Sequence, residues 1–180
     1  MRPASLRTRA FTFIEILIVI VILGIAAALI IPQFSAAGDL KAAAASRTLM
    51  ADLVYAQNRA ISTQSKIYVL FDPSGQKYTL LSSVSPRVYL QHPLNKTDYE
   101  VVFGASGTDG MTGTTLVSAN FDGEKVLGFD ELGAPYSVVP GTGVATAMTS
   151  GTIVLKSGSA KSLQISVEAN TSDLTVTTLP

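Results

Sequence analysis

The chain predicts an α+β fold: a long, bent N-terminal helix packed on an antiparallel β-sheet head. Three observations predict it. From Ile16 to Ile31 there is no charged or strongly polar side chain. From Leu49 to Ile61 apolar residues recur at helical spacing. From Lys66 onward the apolar period drops to two, in short runs separated by turn residues.

The first half of the helix is apolar on all sides. Phe11 to Phe34 is about 24 residues, roughly 36 Å of helix, enough to cross a bilayer. Arg2, Arg7 and Arg9 precede it, and basic flanks stay cytoplasmic, so the N-terminus is expected inside and everything after Pro32 outside. Beyond Pro32 the pattern becomes amphipathic. Ala42 to Ala45 is a strong helix former. Leu49, Met50, Leu53, Val54, Ala56, Ala60 and Ile61 then mark one face, with Arg47, Asp52, Gln57 and Arg59 on the others. Pro32 can kink a helix without ending it. One bent helix is therefore expected from Thr12 to Thr63, on the order of 80 Å long. Its membrane-spanning half covers 11–34, and its amphipathic half covers 35–64 and lays an apolar stripe on the head.

The head, 65–180, reads as short strands. Ile67, Val69 and Phe71 alternate with Tyr68 and Leu70. Asp72-Pro73-Ser74-Gly75 turns the chain, and Lys77 to Leu81 returns as a hairpin. Val101 to Phe103 is a short strand. Leu116-Val117 and Lys125 to Phe129 flank an expected turn at Asp122-Gly123. Thr152 to Lys156, Leu163 to Glu168 and Asp173 to Thr178 complete the set, with Leu174 and Val176 pairing across the Asn170–Asp173 turn. Such spacing gives an antiparallel sheet.

Composition excludes several functions. Lys plus Arg and Asp plus Glu are equal at 13 each. Three basic residues lie in the leader, so the remainder carries 10 basic side chains against 13 acidic ones, a net of −3. No Lys/Arg stripe interleaved with aromatics is present, which argues against nucleic acid as a partner. There is no cysteine, hence no disulfide or thiolate metal site.

Glu15 is the informative residue. A carboxylate in a membrane-length apolar helix costs roughly 2.5–3.5 kcal/mol at the bilayer centre and is a functional-site hypothesis by default. An ordinary secretory signal, cut at the small residues Ala26-Ala27-Ala28, would bear that charge for no gain. A plain membrane anchor would tolerate it only by snorkelling near the helix end.

The string Ala10-Phe11-Thr12-Phe13-Ile14-Glu15, with basic residues before it and an apolar helix after it, resembles the type IV prepilin signal. The resemblance implies that a prepilin peptidase removes the basic leader 1–10 by cutting between Ala10 and Phe11, then methylates the Phe11 amine. The family usually has Gly before the cut; here it is Ala10, which is also small. Gly24 and Pro32 match positions where the family places a helix-weakening Gly and a kinking Pro. The order of parts also matters: the signal, the long helix ending Ala56-Gln57-Asn58-Arg59-Ala60-Ile61, the hairpin, Phe129-Asp130-Glu131-Leu132-Gly133-Ala134-Pro135, and a terminal hairpin. In this order the chain is similar to the H-type minor pseudopilins of type II secretion, with comparable layouts in a class of minor type IV pilins. The pilin fold is implied. Cutting before Phe11 leaves the apolar helix in place and creates an amine beside it. The amine of a neighbouring subunit is then a mate for Glu15, and a charge pair in an apolar setting sets register.

Other candidates are weaker. His92, the single histidine, sits in the loop signature Gln91-His92-Pro93 and lacks partners for a metal site or catalytic triad. Gly104, Gly107, Gly110 and Gly113 recur every three residues but match no phosphate-binding pattern; a surface loop is expected. Asp122, Glu124, Asp130 and Glu131 raise the calcium binding of some pseudopilin heads, but their spacing is not an EF-hand, and no metal is expected.

A structural filament subunit is therefore expected, not an enzyme, with no cofactor. Its implied partners are the prepilin peptidase/methylase, other pseudopilins or pilins, the bacterial inner membrane and secreted substrates. The head is expected in the periplasm. Pseudopilus and type IV pilus both remain open. The alternatives are a minor type IV pilin in DNA uptake or pilus assembly, and a membrane-anchored periplasmic binding protein.

Overall fold

Helix α1 runs from Phe13 to Thr63 in one 51-residue element, one residue inside the expected start. The structure is a computed structural model that describes residues 11–104, 111–158 and 161–179, with the side chains of 28–37 outside the description. The chain divides into two units, Met1–Ala36 and Ala37–Pro180. Pro32, where the bend is expected, falls among the undescribed side chains. Among the described residues no helix is long and apolar enough to cross a membrane.

In the second unit the helix buries Ala42, Ala45, Leu49, Leu53, Ala56 and Ala60, with Ser46 among them. Ser46 Oγ donates to the Ala43 carbonyl at 2.9 Å, so this buried hydroxyl is satisfied within its own turn. The stripe is narrower than expected. Val54 and Ile61 are 44% and 41% exposed, because each lies a further 100° around the helix from the buried Leu53 and Ala60. Alanine at four of these seven buried positions lets the helix approach the sheet closely.

Among the described residues eleven strands follow. They are β1 (Ile67–Asp72), β2 (Lys77–Val84), β3 (Arg87–Tyr89), β4 (Glu100–Val102), β5 (Thr115–Phe121), β6 (Val126–Phe129), β7 (Pro135–Val138), β8 (Ala145–Ala147), β9 (Gly151–Lys156), β10 (Leu163–Val167) and β11 (Leu174–Thr178). One sheet has the order β3-β2-β1-β6-β7-β8, with β4 also on β2; the other has the order β11-β10-β9-β5. All the pairings are antiparallel.

A single core joins the helix to both sheets. Leu49, Leu53, Ala56 and Ala60 share a cluster with Val69, Phe71, Tyr78, Leu80, Phe121, Leu127, Ile153 and Ile165. Each fully buried Leu or Ile contributes about 1.5–3 kcal/mol. On the other face of β1, Tyr68 and Leu70 pack with Val84, Val126, Val138 and Tyr136. Both faces of the strand are thus used, which is why Ile67 to Phe71 carry apolar or aromatic side chains without a break. Tyr136 lies across Gly128, its cross-strand partner; a Cβ at residue 128 would meet that ring at 2.5 Å.

The first hairpin pairs as expected, with Phe71 opposite Tyr78. The last pairs Ile165 with Val176 and Val167 with Leu174, also as expected. The turn at Asp122-Gly123 forms as expected: Phe121 and Glu124 exchange both backbone hydrogen bonds across it, and both turn residues hold positive φ, 52° and 95°, as a two-residue hairpin turn requires. The hairpin itself is corrected, since pairing stops at that bridge: β5, which carries a bulge between Leu116 and Ser118, pairs with β9, and β6 pairs with β1 and β7. The chain therefore changes sheets at this point. Strands β3 and β8 carry no buried alternation to read, since all their residues are exposed. Strand β7 opens on Pro135, which is allowed at the first residue of a strand.

Candidate processing and assembly site

In the first unit, Phe11, Phe13, Ile16, Ile20 and Leu23 are all exposed, as are the large residues between them. Successive positions around the helix carry the same chemistry, so among the described residues no polar face exists to meet water. A continuous apolar surface of this kind marks an interaction site. Glu15 stands on it as the single charge. A Cβ at Gly24 would meet nothing within 4 Å, so no close approach there demands glycine.

The structure adds a role for Glu15 that the sequence analysis passed over. Its backbone N–H donates to Thr12 Oγ1 at 3.3 Å, and the Thr12 N–H donates to Glu15 Oε2 at 3.4 Å. This is a capping box, the Thr-x-x-Glu pattern that satisfies the free donors of a first helical turn. The signal was present in the three-residue spacing of Thr12 and Glu15. Both bonds are long, and Gln would serve the cap as well as Glu. The leader and Ala10 lie outside the described residues.

The two head motifs singled out in the sequence meet. Gln57 Nε2 donates to the Gly133 carbonyl at 3.0 Å. Ser172 Oγ, from the β10–β11 turn, donates to the same oxygen at 2.9 Å. Gly133 has φ of 84°, and a Cβ there would lie 2.8 Å from Ile61 Cδ1. The β6–β7 turn is thus shaped to seat on the helix, and glycine is the residue that fits. Gln57, expected on an outer face, is in fact half-buried.

Asp52 is likewise not a solvent-facing residue. Its carboxylate accepts from Tyr78 Oη and, at 2.9 Å, from Tyr99 Oη. Tyr99 stacks on Tyr55 with centroids 5.6 Å apart. His92 is half-buried, its ring 4.6 Å from that of Tyr99, and its Nδ1 accepts the Leu94 N–H at 3.3 Å. His92 thus lies in a loop, as expected, and braces it.

Two of the acidic candidates, Asp122 and Asp130, serve turns. Asp122 accepts the N–H of Thr149 and of Ser150, and both hydroxyls. These donors, the Thr149 N–H first, hold its carboxyl below the ordinary aspartate range. Asp122 thereby ties the crossing from β5 to β6 to the crossing from β8 to β9. Asp130 Oδ1 accepts from the N–H groups of Leu132 and Ala134. Among the described residues no three His, Asp or Glu side chains group to hold a metal. Of the four regularly spaced glycines, Gly104 and Gly113 have positive φ, and Gly107 and Gly110 lie outside the described residues.

Residues 6–31 match the prokaryotic N-terminal methylation motif, a span that contains Ala10, Phe11, Glu15 and Gly24. Pro32 lies just beyond it. Residues 45–171 match the family described as Type II transport protein GspH, which covers the C-terminal part of α1 and most of the head. Among solved structures the chain is similar to the type IV minor pilin FimU of Pseudomonas aeruginosa strain PAO1. The identity is 16%, over 76% of this chain and 86% of that one, with a TM-score of 0.41. A comparison with curated proteins finds no match. The two family matches identify a structural minor pseudopilin or pilin. On a methylation motif at one end and a family match over more than half its length, this pilin-like chain belongs to the GspH family of type II transport proteins.

Proposed function

We propose that this minor pseudopilin is built into a type II secretion pseudopilus through its N-terminal helix. A prepilin peptidase in the bacterial inner membrane removes residues 1–10 by cutting between Ala10 and Phe11, and the new amine is methylated. Residues 11–34 hold the chain in the membrane and later pack in the filament core. Residues 35–64 and 65–180 form the head, which faces the periplasm and meets secreted substrates. Gly24 and Pro32 give the helix room to adjust between the two settings. The subunit works by assembly, with no cofactor and no reaction of its own.

The observation that carries this reading is Glu15. It is one carboxylate on a helix segment whose large side chains are all apolar and exposed, from 45% at Leu17 to 83% at Phe13. Apolar surface supplies attraction without direction. A charge pair between Glu15 and the Phe11 amine of the next subunit supplies direction, since a buried charge finds its lowest energy only at the register that pairs it.

Intact mass and N-terminal sequencing of membrane-extracted protein test the processing step. Phe11 should be first, bearing one methyl group. A mature start at Ala28 or Leu29 would overturn the proposal and restore an ordinary secretory signal.

A further inference from the structure

Among the described residues the sheets end in five edge strands, and one of them is built differently from the rest. Strands β3, β4 and β8 have three residues each. Of these, β3 carries Arg87, and β4 carries Glu100, paired with Lys77 at 2.9 Å. Short and charged edges resist pairing with another chain. Strand β5 bulges between Leu116 and Ser118, which twists an edge away. Strand β11 has none of these features. It runs five residues, Leu174-Thr175-Val176-Thr177-Thr178, without a charge, a proline or a bulge.

Its pairing with β10 fixes where its backbone groups point. The Glu168 N–H donates to the Asp173 carbonyl at 3.0 Å, and the Leu179 N–H to the Ser162 carbonyl at 2.8 Å. Hydrogen-bonded pairs alternate along an antiparallel ladder, so Thr175 and Thr177 turn their N–H and C=O groups to β10. Leu174, Val176 and Thr178 turn theirs outward, where no strand pairs among the described residues. The side chains of these three share a face with their cross-strand partners Val167, Ile165 and Leu163. That face looks to α1, since Ile165 and Val167 lie in the core cluster with Leu49 and Leu53. The helix leaves its outer margin uncovered. Val176 is 40% exposed, and a groove of about 280 Å³ remains between helix and hairpin, lined by Asp39, Ala42, Ala43, Lys161, Leu163 and Thr178.

We propose that an extended segment of a different subunit of the same filament adds to β11 as a further strand. Its backbone bonds to the outward groups of Leu174, Val176 and Thr178, and its alternate side chains seat in the groove. The two features fit one occupant. The outward N–H and C=O groups recur every second residue, which is the repeat of an extended chain. Residues directly opposite in an antiparallel pair share a face, so those facing Val176 and Thr178 point to the helix side, where the groove is. A dry cavity of about 150 Å³ already holds benzene, so an apolar side chain has room there. Asp39 and Lys161 balance in charge, which suits an uncharged strand. The groove opens on the first turns of α1 in this unit, next in sequence to the segment proposed to pack in the filament, so a subunit packed along that segment is the chain at hand. A minor subunit meets unlike subunits there. The inference rests on the filament reading and adds to it a contact made by the head through backbone groups.

The test uses the full-length chain, co-expressed with the other subunits. Thr178, which is exposed, is replaced by a benzophenone-bearing amino acid, filaments are sheared and irradiated, and the cross-linked peptide is identified by mass spectrometry. The expected product joins this chain to a different subunit that carries its own prepilin-type signal. The same photoreactive residue in place of Thr146, exposed on β8, should give little of it. Val176→Pro removes one outward N–H and leaves the β10 ladder whole, so it should lower the yield about fivefold, as loss of one hydrogen bond does. Val176→Thr keeps that N–H and should leave the yield unchanged. Leu174→Pro, at the first residue of the strand, where proline is tolerated, should act as Val176→Pro does. Denaturant unfolding checks that the heads stay folded. Absence of the product, linkage to a second tagged copy or to a secreted protein, equal yield from residue 146, or equal loss in Val176→Thr and Val176→Pro would overturn the proposal. Absence of the wild-type chain from sheared filaments would instead overturn the filament reading on which it rests.

Discussion

The two units of this chain use apolar residues in opposite ways. In Ala37–Pro180 they are spent inward: Leu53, Phe71, Phe121 and Ile153 are buried in one cluster shared by the helix and two sheets. Polar groups there hold turns and crossings in place. In Met1–Ala36 the described large residues all face outward, and the partner of the single carboxylate among the described residues is a helix cap. The head can therefore be explained from its own contacts. The apolar segment cannot, because burial is what gives apolar surface its energetic value, and its described side chains are exposed.

The sharpest way to break this contrast is to make one substitution in both units. Leu53→Ala should cost the head about 2–5 kcal/mol, the usual range for emptying a packed leucine site. Leu23→Ala, at a residue 62% exposed, should change head stability by less than about 0.5 kcal/mol. Denaturant unfolding of the full-length protein in detergent measures both. Equal losses would show that the apolar segment is part of the folded head. A smaller difference is expected between two glycines. Gly133→Ala meets Ile61 at positive φ and should cost about 1–3 kcal/mol, part of it recovered by adding Ile61→Ala. Gly24→Ala has open space and should leave head unfolding unchanged.

The smallest effect is a pH dependence confined to the head. Asp122 has its carboxyl depressed by the Thr149 and Ser150 donors. A group whose folded value is depressed adds stability above its unfolded value and loses it as pH falls through the folded one. The difference in unfolding midpoint between wild type and Asp122→Asn should thus be widest above pH 3.8, the ordinary aspartate value. It should close as pH falls below that value. A difference that stays constant across this range would mean that Asp122 holds the crossings by shape and not by charge.

Periodicity reached the parts of the fold where burial is one-sided. The helix, the first hairpin and the last hairpin were legible because Leu49, Leu53, Ile67, Val69 and Ile165 repeat at the period of their element. Strands β3 and β8 were not, since an exposed edge leaves no alternation. The switch of sheets after Phe121 was not legible either, because the turn at Asp122-Gly123 is the same whether the strands beyond it stay paired or part, and the partners they take, β9 and β1, are distant in sequence. Asp52 and Gln57 looked solvent-facing because polar type was taken for exposure. Their partners, Tyr78, Tyr99 and the Gly133 carbonyl, are distant in sequence. At the N-terminus the motif itself was plain, but a Thr-x-x-Glu cap lay within it and gives Glu15 a second, purely local use.

That second use sets the decisive measurement. Gln at residue 15 keeps an oxygen for the Thr12 N–H and so keeps the cap, but it removes the charge. Leu removes both. The measurement is the amount of each variant recovered with sheared filaments, at equal membrane levels. If Glu15 acts by pairing with the Phe11 amine of a neighbour, Glu15→Gln and Glu15→Leu should both lose incorporation, while reaching the membrane and folding their heads as wild type does. Wild-type incorporation of Glu15→Gln, with loss only in Glu15→Leu, would contradict the account and leave Glu15 as a helix cap.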